Sequence, residues 1–210
     1  MTQPAPRTWT VEEFFAWQEK QAERYELVEG FPVRLMAGAK NVHDDIVVNV
    51  LADLRNQLRG SGCRPFTGDG SVETRPGQIR RPDVGVDCGR RDPDAQNPDV
   101  VIAALPRLVV EVLSPTTRDF DTFGKLEEYK GVDSLDGILV VEPNAPEAVF
   151  WFRDSDRAWQ RRTVRGLDQM IAMPGIGVTL ALAEIYDGIS FPARPRLVTD
   201  EAGAPDRSTP

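Results

Sequence analysis

Two acids and one lysine carry the chemistry open to this chain. Glu111 sits inside Leu108-Val109-Val110-Glu111-Val112-Leu113, an apolar run that reads as a strand buried on both faces. An ionised carboxylate there is costly unless a cation, hydrogen-bond donors or a water-filled cleft meets it. Pairing with an arginine at the strand end fits as well as a functional role. Asp83 follows Pro82 in Arg81-Pro82-Asp83-Val84-Gly85-Val86, where a proline suits a strand entrance. Taken alone, Asp83 is ordinary turn chemistry. Taken together, two carboxylates at neighbouring strand ends form a hard, oxygen-rich site suited to Mg²⁺ or Mn²⁺. Such a metal neutralises a phosphate and activates water for phosphodiester hydrolysis. A positive side chain near the attacking water completes this chemistry. Position 113 is Leu, so a lysine must come from elsewhere, and Lys125 on the following helix is the candidate.

The elements that position these residues follow from periodicity. Thr10-Val11-Glu12-Glu13 is a capping-box pattern opening a helix that runs to about residue 22. Residues 25–36 read as a hairpin around Glu29-Gly30. Val42, Ile46, Val47, Val50, Leu51, Leu54 and Leu58 recur at helical spacing and predict a helix over 41–59. Strands are expected at 64–66, 71–74, 81–87 and 107–113, with a loop over 89–98. A helix at 121–129 leads to a strand at 138–142. Strands at 148–152 and 159–164 form a hairpin around 154–157, and a short strand and helix near 178–186 close the chain. The fold class is α/β: a mixed β-sheet flanked by helices, preceded by an N-terminal helix and hairpin. Residues 1–8 read as a flexible N-terminus, 9–190 as a single domain and 191–210 as a disordered tail rich in Pro, Ala, Asp and Arg.

Composition narrows the classes further. The chain has 210 residues, enough for one hydrophobic core. No apolar run approaches the roughly 18–20 residues that span a bilayer, and residues 1–7 lack the pattern of a secretory signal. Cys63 and Cys88 show no metal-ligand spacing and read as reduced thiols of a cytoplasmic protein, with a disulfide between them as the less favoured alternative. With a single histidine, His43, a His-based zinc site is excluded, and neither HExxH nor a phosphate-binding glycine loop occurs. No nucleophile-elbow pattern supplies a serine for a triad. The net charge of −8 weighs against nucleic-acid binding unless positive charge is concentrated locally. The most basic stretch, 153–165, contains Arg157, Arg161 and Arg162. It reads either as a solvated hairpin face or as a contact for nucleic-acid backbone.

With these pieces placed, the chain resembles the Uma-type family of bacterial restriction endonucleases, within the wider PD-(D/E)xK nuclease group. The resemblance runs from Tyr25 to about Tyr186 and rests on an ordered series of motifs. These are Tyr25-Glu26-Leu27-Val28-Glu29-Gly30, His43 at the start of the long helix, and Arg81-Pro82-Asp83-Val84. They continue with Pro106 through Glu111-Val112-Leu113-Ser114-Pro115, Lys125 with Tyr129, Gly131-Val132, and Leu139-Val140-Val141-Glu142-Pro143. The departures are Asp44 after His43 and the absence of an aromatic pair in Ser134-Leu135-Asp136-Gly137-Ile138. The resemblance implies a restriction-endonuclease-like fold, with Asp83 and Glu111 as metal ligands and Lys125 as a displaced catalytic lysine. It also implies Glu26 and His43 as auxiliary groups, although a hairpin glutamate facing solvent and a packed or capping histidine fit those two residues equally.

The resulting expectation is an Mg²⁺- or Mn²⁺-dependent endonuclease acting on nucleic acid, with DNA favoured, and working as a cytoplasmic homodimer. The alternatives are a binding or regulatory module that kept the fold without turnover, and a hydrolase of another phosphate ester.

Overall fold

The computed structural model of the chain describes residues 7–35, 41–89, 102–114 and 121–191, with the backbone alone at 121–123. Residues 1–6 of the expected flexible N-terminus, 192–210 of the expected tail and 90–98 of the expected loop lie outside these. The architecture is mixed α/β, as the sequence implies.

Helix α1 (Val11–Gln18) opens on the expected capping box: Glu13 N–H donates to Thr10 Oγ1, and Thr10 N–H to the Glu13 carboxylate. It ends four residues earlier than its pattern suggests. The Gln18 side chain bridges the following loop, donating to the Glu23 carbonyl and accepting from Tyr25 N–H. Strands β1 (Tyr25–Val28) and β2 (Phe31–Arg34) form the hairpin. Its turn needs positive φ at both Glu29 (51°) and Gly30 (81°), the conformation that matches strand twist in a two-residue hairpin.

Helix α2 (Asn41–Gln57) is followed by β3 (Arg64–Thr67), β4 (Val72–Arg75), β5 (Gln78–Arg80) and β6 (Val84–Asp87). The strand expected over 81–87 is therefore shorter, because Pro82 has no N–H to give a ladder, and β5 is a separate element. The rest of the chain comprises β7 (Pro106–Val112), α3 (Asp121–Lys130), β8 (Gly137–Glu142), β9 (Glu147–Arg153), β10 (Trp159–Arg165), β11 (Met170–Met173), β12 (Val178–Ala181) and α4 (Leu182–Ile185). Strand β11, paired with β12, was not expected from the sequence.

The main sheet has the order β10-β9-β8-β7-β6-β3, with β7 and β8 parallel and the other neighbours antiparallel. A second sheet has the order β2-β1-β5-β4. On one face of the main sheet, Ile46, Val50 and Leu54 of α2 pack against Val84, Val110, Leu139 and Phe150. On the other, Leu126 and Tyr129 of α3 pack against Val109 and Ile138. Gly85 leaves room for Phe66, its cross-strand partner, whose ring atoms lie as close as 2.1 Å to where a Cβ would stand.

Cys63 and Cys88 form a disulfide, which corrects the expectation of reduced thiols. They extend the β3–β6 register by one pair beyond Arg64↔Asp87, which brings their Cα atoms to 4.0 Å. Paired in this way, the two cysteines give no support to a cytoplasmic location. Among the described residues, no helix is long and apolar enough to cross a membrane.

Candidate active site

Register brings the two acids together. Val84 of β6 pairs with Val110 of β7, so the next position along places Asp83 beside Glu111. Asp83 Oδ2 accepts the Val112 N–H at 2.7 Å, so the side chain takes the place of a ladder carbonyl just beyond the end of β6. From the first turn of α2, His43 Nε2 lies 3.3 Å from the same Oδ2. This hydrogen bond raises the imidazole above its ordinary range, against the lowering effect of burial. Both contacts to Asp83 among the described residues use Oδ2.

Glu111 is partly exposed and accepts the Tyr129 hydroxyl at 2.8 Å. Burial pushes its carboxyl up to about 8, helped by the charges of Asp83 and Glu26 and opposed by Lys125 and Tyr129. The two strand-borne acids, Glu26 and Lys125 thus form one electrostatic group.

Glu26, on β1, is buried rather than facing solvent. It accepts the Arg81 N–H at 3.0 Å, Arg80 Nη1 at 2.8 Å and Lys125 Nζ at 3.1 Å. Lys125 is only 12% exposed, so it lines the inner side of α3. Arg80 also holds Glu128 in a bidentate pair, both bonds 2.7 Å, and Thr74 Oγ1 donates to the same carboxylate at 3.3 Å. Burial alone would raise Glu128, yet the Arg80 guanidinium outweighs it and holds the carboxyl below its usual range.

The structure therefore gathers all five central residues proposed from the sequence: Asp83, Glu111, Lys125, Glu26 and His43. Sequence reasoning missed Arg80 and Glu128. The only signal for Glu128 is its spacing on α3, one turn after Lys125 and beside Tyr129. Arg157, Arg161 and Arg162 lie on the β9–β10 hairpin, apart from this group. Arg157 is committed to Asp136 at 2.6 Å and to the Asp133 carbonyl.

The donor set suits a divalent cation that keeps waters. Among the described residues, no three His, Cys, Asp or Glu side chains cluster closely enough to hold an ion alone. Mg²⁺, however, is commonly bound by one or two carboxylates, with water and phosphate oxygens completing the shell. The cluster joins four carboxylates to two permanent cations in direct contact, Arg80 and Lys125. Burial is the main reason the Glu111 carboxyl is pushed up to about 8, and the Asp83 and Glu26 charges add to it against Lys125 and Tyr129.

Comparison with known proteins bears on the family and the fold. The family model "Uma2: Putative restriction endonuclease" matches residues 11–183. An uncharacterized protein of Synechocystis is 30% identical over 181 residues, covering 86% of this chain and 92% of its own length. A crystal structure described as a "putative nuclease belonging to DUF820", from Anabaena variabilis, superposes with a TM-score of 0.63 at 16% identity. That alignment covers 86% of this chain and 97% of the other, and it shows a shared fold.

Proposed function

The chain belongs to the family described as "Putative restriction endonuclease", and from that membership we propose that it hydrolyses phosphodiester bonds within nucleic acid, DNA foremost, using a divalent metal at Asp83 and Glu111. The observation that carries this reading is the register that sets Asp83 beside Glu111 at neighbouring strand ends, with His43, Tyr129 and Lys125 in the same group. Family membership supports a nuclease; the metal, the DNA preference and the residue roles are our own assignment.

When bound, Mg²⁺ or Mn²⁺ would offset phosphate charge and lower the pKa of a water molecule. The protein's own groups supply the rest. The Val112 N–H and His43 fix the Asp83 carboxylate, so it needs no reorganisation to act as a ligand. Tyr129 donates to Glu111 Oε1 and sets the orientation of that carboxylate. Glu26 holds the Lys125 ammonium close enough to lower the Glu111 pKa, which puts a positive charge near the proposed metal site. Arg80 anchors Glu26 in turn. Cutting both strands of a duplex needs two such sites, hence a homodimer. Light scattering that shows only monomer while double-strand cleavage persists would remove that part.

The test is cleavage of supercoiled plasmid and single-stranded DNA in Mg²⁺ or Mn²⁺, wild type beside Asp83→Ala. Cutting by the wild type alone is expected. Cutting by both places the reaction elsewhere. Cutting by neither, in folded protein, favours a nuclease-fold binding module or another phosphate ester as substrate.

A further inference from the structure

The sheet face that carries Glu111 continues well beyond the site. Glu111 pairs with Val140 of β8, Val140 with Val149 of β9, and Val149 with Thr163 of β10. Paired residues share a face, so these four form one row ending at the free edge strand. Val140, Val149 and Thr163 each retain exposed surface. One row back are Val109, Ile138 and Trp151, and these pack in one cluster with Leu126 and Tyr129 of α3. Val140, Val149 and Thr163 are outside that cluster and keep exposed surface, so the row from Glu111 to the sheet edge forms a shelf.

Arg161 stands at the outer end of the covered row, directly opposite Trp151. Its guanidinium lies 5.9 Å from the Trp151 ring centroid, and Lys130 Nζ lies 3.7 Å from the same ring. The neighbouring cations are used by the fold. Arg153 donates to the Leu135, Arg157 and Lys130 carbonyls, Arg157 pairs with Asp136, and Arg165 pairs with Glu147. Arg161 is exposed, and among the described residues it makes no hydrogen bond or ion pair. Arg162, next in sequence, belongs to the opposite face. It pairs with Phe150, in the row of Leu139 and Val110 that packs beneath α2.

We propose that one polynucleotide strand runs from the Glu111 site across this shelf, with its backbone held by Arg161 braced on Trp151. At 5.9 Å the Arg161 guanidinium is within reach of a weak attraction to the Trp151 ring, which leaves its edge donors free for phosphate oxygens. Three interstrand steps of about 4.8 Å separate Glu111 from β10, roughly 14 Å. For a strand that stays stacked, at about 3.4 Å per nucleotide, that is about four nucleotides, so the shelf fits a stretch of polymer and not a mononucleotide. The proposal rests on the nuclease reading for what occupies Glu111 and on the sheet register for the path.

The experiment is fluorescence anisotropy in Ca²⁺ with a labelled 20-nucleotide single strand and a labelled dinucleotide, using wild type, Arg161→Gln, Arg161→Lys and Arg162→Gln. Cleavage in Mg²⁺ is measured in parallel. Arg161→Gln should weaken the 20-mer roughly five- to tenfold and lower the salt slope by about one, with no change for the dinucleotide. Arg161→Lys should keep the slope, and Arg162→Gln should match wild type. Equal losses in the two Gln variants would reduce the effect to general charge and overturn the path, as would wild-type affinity in Arg161→Gln or failure of wild type to bind the 20-mer. Cleavage with no dependence on Arg161 leaves the nuclease standing without the path. Binding that depends on Arg161 without any cleavage leaves the path standing without the nuclease.

Discussion

Glu128 and Glu111 are both carboxylates withdrawn from bulk water within one cluster, and the fold treats them oppositely. Glu128 receives two N–H groups of Arg80 and is held below its ordinary range. Glu111 receives one phenolic hydroxyl and is pushed up to about 8. Glu26 stands between them, shared by Arg80 and Lys125. Glu128 has its cation in direct contact, whereas Glu111 is reached by Lys125 through charge alone, and on the proposed reading a metal supplies the rest. A buried acid marks a site only when the charge around it fails to balance.

Four experiments can break or sharpen that contrast. The largest effect is expected from Arg80→Met, which strands Glu26 and Glu128 without their guanidinium. Urea unfolding should show a loss of about 3–5 kcal/mol, and a cost below about 1 kcal/mol would mean that Glu128 is not cation-dependent. Next, Glu111→Gln should lower metal-dependent cleavage at least about 100-fold, near 2.7 kcal/mol of barrier, while the fold survives. The Asp83→Ala plasmid assay should show a comparable loss.

The third effect is a pH slope. Because the folded Glu111 carboxyl lies at about 8 against an ordinary 4.5, the fold favours its protonated form. Its contribution to stability is full below about 4.5 and is lost as pH rises through about 8. Metal-free wild type should therefore lose stability relative to Glu111→Gln by at most about 1.4 kcal/mol per pH unit across that window. Apparent Mn²⁺ affinity should rise with pH over the same window, since binding must displace the proton. Parallel stability curves for the two proteins would contradict the assignment. The smallest effect is expected from Tyr129→Phe. Losing the hydroxyl that lowers Glu111 should weaken Mn²⁺ binding a few-fold at pH 7, around 1 kcal/mol or less, and hardly at all above pH 9. Equal weakening at both pH values would make Tyr129 a packing residue.

Local chemistry was legible in the sequence, and distant pairing was not. The capping box at Thr10, the two-residue turn at Glu29-Gly30 and the strand around Glu111 follow from residues within a few positions of one another. Glu111 could be nominated because it breaks a local pattern, and Asp83, ordinary by itself, gained meaning only beside it. Arg80 breaks none: it sits in a three-residue strand, and its partners lie 54 and 48 positions away. The disulfide was missed for the same reason, since nothing local joins cysteines 25 residues apart. The three hairpin arginines looked alike in sequence. Strand alternation and the Asp136 ion pair are what set Arg161 apart from Arg162 and Arg157.

The Arg80 network also bears on how the molecule folds. It draws β1, β5 and α3 from three well-separated stretches of chain, and each carries a charge that is tolerable only when the others are present. A collapsed intermediate that docks the apolar faces but omits one of these segments traps an unpaired ion in its interior. Such half-formed states are raised in free energy relative to both the native and the unfolded ensembles, so the network makes the transition more nearly all-or-none.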